Sequence, residues 1–186
     1  MKNTPFDLAG RCALVTGGSK GIGRAIAALF AEAGADLFLC SRSEGPLAEA
    51  AADIRGRTGV RVETLAADMS RREDVLRVAE AAPKQLGKID VLVNNAGWNV
   101  RQAIDEIRDE DWNLLVELNL TSVMALTRAM VPDMKERGWG RVIHISSIMG
   151  LASTPKRNAY SATKAALVAM AKASALDLGP FGVTVN

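Results

Sequence analysis

"TGGSKGIGRA", residues 16–25, sets Gly17, Gly21 and Gly23 around Lys20, directly after the apolar run "CALV" and directly before an alanine-rich stretch of helical period. In that context, glycine has a specific use. Gly17 permits a tight turn off the strand, and Gly21 and Gly23 remove side chains where a pyrophosphate approaches the backbone and where helix packs on sheet. The helix beginning near Gly21 aims its unpaired N–H groups and the positive end of its dipole at the same place. The stretch therefore reads as a nucleotide loop and not as a plain turn.

The rest of the chain repeats the strand-then-helix unit. "CALV" is followed by a helical segment over 22–33, "LFLC" by 46–55, "VRVETLA" by 72–86, "IDVLV" by 109–134 and "RVIHIS" by 159–178, with "VTV" last. Runs apolar on both faces, joined by amphipathic helices, predict an α/β fold: a doubly wound, Rossmann-type parallel sheet with helices on both faces and right-handed crossovers. At 186 residues this is expected to be one domain, 1–186. Gly34 and Gly87 fall where helices end. Pro83 is expected to kink or shorten its helix, and Trp139, in the turn "ERGWGRV", reads as a packing residue.

Composition narrows the function classes. The net charge of +2 comes from 23 basic and 21 acidic residues with no long run of either sign, which argues against nucleic acid as a partner. The opening "MKNTPFDLAG" lacks the apolar core of a leader peptide, and no segment offers ~20 apolar residues in a row, so a cytoplasmic protein with no membrane partner is expected. Cys12 and Cys40 each lie inside an apolar run and read as buried free thiols. His144 is the only histidine, so no metal site is expected; it reads as a strand histidine whose hydrogen bonds are satisfied.

The spacing Gly17-x-x-x-Gly21-x-Gly23, with "NNAG" at 94–97 after the fourth strand and "YSATK" at 160–164 after the fifth, resembles the short-chain dehydrogenase/reductase family along the whole chain. In general terms it resembles the 3-oxoacyl-carrier-protein reductases and the tropinone-type reductases. The resemblance implies an oxidoreductase that moves a hydride between a nicotinamide dinucleotide and a carbonyl or secondary alcohol. It implies that Thr16, Gly17, Gly21, Ile22 and Gly23 form the phosphate loop, and that Asp68 holds the adenine amine with Met69 beside it. Asn95, Ala96 and Gly97 would let the cofactor ribose approach.

The end of the second strand, "LFLCSRS", bears on which dinucleotide binds. An enzyme that takes NAD commonly ends this strand with an acid, which holds the ribose 2′-hydroxyl and repels a 2′-phosphate. Here Ser41 and Arg42 stand instead, and a guanidinium pairs bidentately with phosphate oxygens. Lys20 adds a second positive charge and Ser19 a further hydroxyl. The reading is NADP over NAD, with solvated surface charges as the alternative for Arg42 and Lys20.

Tyr160 and Lys164, four residues apart, share one face if their segment is helical. Ser147 closes the preceding strand, at the edge where an open α/β sheet leaves its ligand crevice. These residues and Asn119, in the long helix before that strand, match the Asn-Ser-Tyr-Lys tetrad of the family. A phenol with an ordinary pKa of ~10 carries protons poorly at neutral pH, but a lysine charge ~4 Å away, at an effective dielectric of ~20, favours its ionised form by ~4 kcal/mol. Tyr160 then serves as acid and base, and Ser147 polarises the substrate oxygen. The resemblance implies that Lys164 also binds the nicotinamide ribose and that Asn119 feeds a proton relay. Ser146 is the local rival to Ser147.

Trp98, Asn99, Met149, Leu151 and Ser153 follow strand ends and are expected to line a pocket for a mixed apolar and polar small molecule. An acyl thioester, a sugar, a steroid and a small ketone all remain open. So do a non-catalytic dinucleotide-binding module and an NAD-dependent alcohol or sugar dehydrogenase of the same fold. Leu115, Leu118, Val123, Leu126, Leu167, Val168 and Met170 are more apolar surface than one sheet face needs, and the resemblance places a subunit interface on their two helices; a homodimer or homotetramer is expected. The resemblance also implies a further segment after "GVTVN" at 182–186, carrying a substrate loop and the last strand, which this chain does not contain.

Overall fold

The alternating apolar runs become the strands of one parallel sheet. In the computed structural model, which describes residues 6–186, the chain runs β1 (Cys12–Thr16), α1 (Gly21–Glu32), β2 (Asp36–Ser41), α2 (Glu44–Thr58), β3 (Val62–Ala66), α3 (Arg72–Leu86), β4 (Val91–Asn94), α4 (Asp109–Val116), α5 (Ser122–Glu136), β5 (Gly140–His144), α6 (Asn158–Leu178) and β6 (Val183–Val185). The first five residues, on which the leader reading partly rests, lie outside the described residues. The strand order is β3-β2-β1-β4-β5-β6. β1 pairs in parallel with β2 on one side and β4 on the other, so the connections reverse direction beside β1. A sheet of this order opens a crevice at the carboxyl ends of β1 and β4.

Strand alternation sends neighbouring residues into two separate layers. Leu14, Phe38, Leu92 and Val142 join Val75 and Val78 of α3 and Leu126 and Met134 of α5. Ala13, Val15, Leu37 and Leu39 join Ala27 of α1 and Leu47 and Ile54 of α2 on the opposite face. Burying each large apolar side chain contributes ~1.5–3 kcal/mol, which is why both faces of every central strand are apolar. Cys12 and Cys40 are buried free thiols, and burial pushes the Cys40 thiol up to about 12. Trp139 packs between two guanidinium groups, 3.8 Å from Arg11 and 4.4 Å from Arg141.

Three expectations are corrected here. The third helix runs through Pro83 to Leu86 and ends at Gly87, whose φ is 85°. Proline lacks the N–H of the i to i−4 bond, but its carbonyl still accepts, here from Gly87 N. The segment 109–134 is not one regular helix: α4 and α5 are joined by a π turn, Glu117–Thr121. Leu115, Leu118, Val123, Leu126 and Leu167 are buried within this chain, so they are not spare surface for a subunit contact. Leu115, Leu126, Met130 and Met134 also tie into the core the only helical stretch among the described residues, Asp109–Glu136, long and apolar enough to cross a membrane.

Asp90, fully buried beside β4, locks the amino-terminal edge of the sheet. It accepts from Cys12 N at 3.0 Å and from Arg137 Nη1 at 2.7 Å, and Lys88 Nζ lies 3.1 Å away. Burial alone would raise its pKa, but the Cys12 amide and the Lys88 and Arg137 charges outweigh that and hold it below the ordinary carboxylate value. Its stabilising contribution is therefore complete above the unfolded-state value of ~3.9 and is lost as pH falls through the folded value. Asp90→Asn, which turns an N–H₂ toward donors, is expected to cost ~2–3 kcal/mol at pH 7. Urea unfolding at pH 7 and pH 3 checks this: the gap between variant and wild type is expected to narrow at pH 3.

Candidate active site

The glycine loop takes the shape its sequence requires. Gly17 and Gly21 have φ of 69° and 56°, left-handed values that favour glycine. A Cβ on Gly23 would sit 2.3 Å from Gly17 O, so helix and loop meet backbone to backbone. α1 has no acid in its first turn, and Arg24 N donates to Lys20 O at 3.3 Å. The amides of Gly21, Ile22 and Gly23 ahead of it have no intrahelical acceptor.

Across the crevice, the loop after β4 is fastened to β1 by one side chain. Thr16 Oγ1 accepts from Asn95 N at 3.0 Å and from Ala96 N at 2.9 Å, and Asn95 Nδ2 returns a bond to Thr16 O at 2.8 Å. Between these loops lies a cleft of about 350 Å³. Its lining takes in Gly17, Ser19, Lys20 and Ile22 from the first turn, Ser41 at the end of β2 and Arg42 after it, Asp68 and Met69 after β3, and Asn95, Ala96 and Gly97 after β4. Gly21 and Gly23, read as cofactor residues, shape the turn that carries Ser19, Lys20 and Ile22 to the cleft.

Within the cleft, side chains differ in what they offer. Arg42 is exposed and forms no ion pair among the described residues. Ser41 Oγ is directed at Ser43 O, 3.4 Å away, within its own loop. Asp68 Oδ1 accepts from Ser70 N and Ser70 Oγ, leaving Oδ2 as its other acceptor. Met69 is buried with its sulfur 3.8 Å from Cys40 Sγ. Free amides at a helix start, unpaired cations and a slot lined by glycine fit a dinucleotide phosphate.

Of the four candidate catalytic residues, Asn119 and Lys164 lie against Gly97, which lines this cleft. Asn119 lies in the π turn, fully buried; its Nδ2 donates to Trp98 O at 2.9 Å and Thr163 Oγ1 at 3.2 Å, and its Oδ1 accepts from Trp98 N at 2.9 Å. Ser147 caps the short turn Ile148–Gly150, accepting from Met149 N at 3.2 Å. Tyr160 and Lys164 share a face of α6, with Lys164 Nζ 5.7 Å from the centre of the Tyr160 ring. Nζ donates to Ile145 O at 2.6 Å. Burial lowers the Lys164 pKa to about 8. Ser146, the rival serine, donates to Lys164 O at 2.8 Å and so supports α6.

Other placements depart from the sequence reading. His144 is not satisfied: Nδ1 lies 3.2 Å from Asn94 Nδ2, while Nε2 is buried without a partner. Burial, and then the Lys164 charge, lower its pKa to about 4, so it stays neutral at pH 7. Thr163, which the sequence did not single out, accepts from Asn119 and donates to Tyr160 O at 2.9 Å, linking the π turn to α6. Gly150 was also passed over; a Cβ there would meet Lys164 O at 2.8 Å. Arg157, three residues before Tyr160, places its guanidinium carbon 5.9 Å from the Tyr160 ring centre.

A family model described as short chain dehydrogenase matches residues 11–186. D-beta-hydroxybutyrate dehydrogenase of Cupriavidus necator is 37% identical over 179 residues, 96% of this chain and 69% of that protein. The 3-oxoacyl-[acyl-carrier-protein] reductase of Escherichia coli is 37% identical over 181 residues, 97% of this chain and 72% of its own length. The crystal structure of L-sorbose reductase from Gluconobacter frateurii, complexed with NADPH and L-sorbose, has a TM-score of 0.95 at 37% identity, over 98% of this chain and 70% of that one. NAD+-bound xylitol dehydrogenase has a TM-score of 0.91 at 29% identity, over 96% of this chain and 69% of that one.

Proposed function

This chain belongs to the short chain dehydrogenase family, and we propose that it is an NADP(H)-dependent oxidoreductase in which Tyr160 is the acid and base for a small carbonyl or secondary-alcohol substrate. One observation carries the reading: a buried lysine, Lys164, is held one helical turn from Tyr160 and faces the backbone of Gly97, where a Cβ would lie 3.6 Å from Nζ. That position joins the cleft lined by the glycine loop to the only tyrosine in the chain. The relatives whose names describe a dehydrogenase or a reductase support the same class of chemistry.

When bound, the dinucleotide supplies or accepts the hydride. The amides of Gly21, Ile22 and Gly23 hold its pyrophosphate, Asp68 its adenine, and Arg42 with Lys20 its 2′-phosphate. Ser147 holds the substrate oxygen and stabilises charge that develops on it. Tyr160 donates a proton to that oxygen during reduction and takes the alcohol proton in the reverse direction. Lys164 keeps its charge beside the ring below about pH 8, and Asn119 fixes the loop at Trp98 that borders the substrate.

The test follows absorbance of NADPH, and of NADH in parallel, against a panel of ketones, keto-esters, quinones and sugars. Turnover of at least one class, with NADPH preferred, is the expected result. Tight NADPH binding without turnover of any class would leave a binding module in place of an enzyme.

A further inference from the structure

We infer that Arg157 receives a carboxylate of the substrate, so that the compounds reduced at this site are short oxo acids and not neutral ketones. The inference rests on the proposed hydride-transfer reading and names the substrate class for it. Its basis is a cation beside the reacting centre with no counterion of its own. The guanidinium of Arg157 lies 5.9 Å from the ring centre of Tyr160 and forms no ion pair among the described residues. Asp111, bonded to Gln102 of the adjoining segment, is already engaged: it accepts from Gln102 Nε2 at 2.7 Å and from Arg108 Nη2 at 2.6 Å.

The backbone under Arg157 is built to hold it there. Gln102 forms an isolated β-bridge with Arg157, Gln102 N donates to Lys156 O at 3.1 Å, and Asn158 Nδ2 donates to Gln102 O at 3.4 Å. Lys156 has φ of 66°, the one non-glycine residue with a positive φ among the described residues. Such strain persists where the surroundings over-determine a conformation, and ligand clamps are one such place. Lys156, also without an ion pair among the described residues, adds a second positive charge next to Arg157, while Trp98 and Leu151 expose apolar surface in the loops after β4 and β5. A planar guanidinium takes a carboxylate through two parallel N–H···O bonds, and the apolar surface suits the short carbon chain between carboxylate and carbonyl.

The experiment compares acetoacetate with methyl acetoacetate, which keeps the ketone and removes the charge. In the wild type, kcat/KM is expected to favour the acid. In Arg157→Gln, the acid-to-ester ratio is expected to fall by about 10-fold or more, the loss of one charge-assisted hydrogen-bonded pair, with part of it restored in Arg157→Lys. An unchanged ratio, with both compounds slowed alike, would overturn the inference and make Arg157 a support for the Tyr160 ring. Calorimetric titration of both compounds into the NADP-loaded protein gives a readout that needs no turnover. Selective binding of acetoacetate, lost in Arg157→Gln, would uphold the anion site even if neither compound were reduced, which would count against hydride transfer alone. Equal binding of acid and ester would overturn the site itself.

Discussion

Tyr160→Phe is expected to slow turnover by at least ~10²-fold, the lower end of what general acid–base catalysis contributes, while NADPH still binds. The two effects separate because of how the ring is held. Its flanking cations, Lys164 Nζ at 5.7 Å and Arg157 Cζ at 5.9 Å, face the ring and persist in the variant. The Tyr160 hydroxyl forms no hydrogen bond within the chain among the described residues, so its removal leaves no buried partner unsatisfied. Stopped-flow turnover and fluorescence titration of NADPH check both halves. Turnover near wild type would remove Tyr160 from the chemistry.

Arg42→Ala is expected to raise the NADPH dissociation constant by roughly 10- to 150-fold and to leave NADH nearly untouched, since a charge-assisted hydrogen bond is worth ~1.5–3 kcal/mol and NADH offers that side chain no phosphate. Arg42 lines the cleft without an ion pair among the described residues, so no competing partner there must be given up. Ser41 Oγ is turned to Ser43 O, which leaves the guanidinium as the main phosphate ligand of this loop. Arg42→Asp would go further by repelling the phosphate and offering an acceptor to a free ribose hydroxyl, turning preference toward NADH. Equal weakening of both cofactors in titrations would show that Arg42 supports the fold instead.

The fold was legible because its signals are local. Each strand is a short apolar run, and the glycines that end or open helices need only their own φ. The cleft was legible for the same reason: Gly17 and Arg42 follow directly on a strand, Asp68 and Gly97 come shortly after one, and parallel pairing brings all strand ends to one edge. What escaped depends on distant partners. The π turn at Glu117–Thr121 has no breaker in its sequence, and its Asn119 is positioned by Trp98 and Thr163. Spacing put Lys164 beside Tyr160, but only the tertiary structure reveals Ile145 O as its acceptor. Periodicity marked Leu115, Leu126 and Leu167 as apolar without saying that the chain's own packing already covers them.

The bonds at Thr16 bear on how a ligand arrives. One hydroxyl ties the end of β1 to the loop after β4, about 80 residues on in sequence, as the Ala96 N bond to Thr16 Oγ1 shows. The disorder those segments would otherwise have is surrendered when the chain folds, so little remains to be lost at the moment of encounter. The slot meets its dinucleotide at a fixed width, and capture there is a matter of collision and orientation, without a waiting time for the walls to assemble.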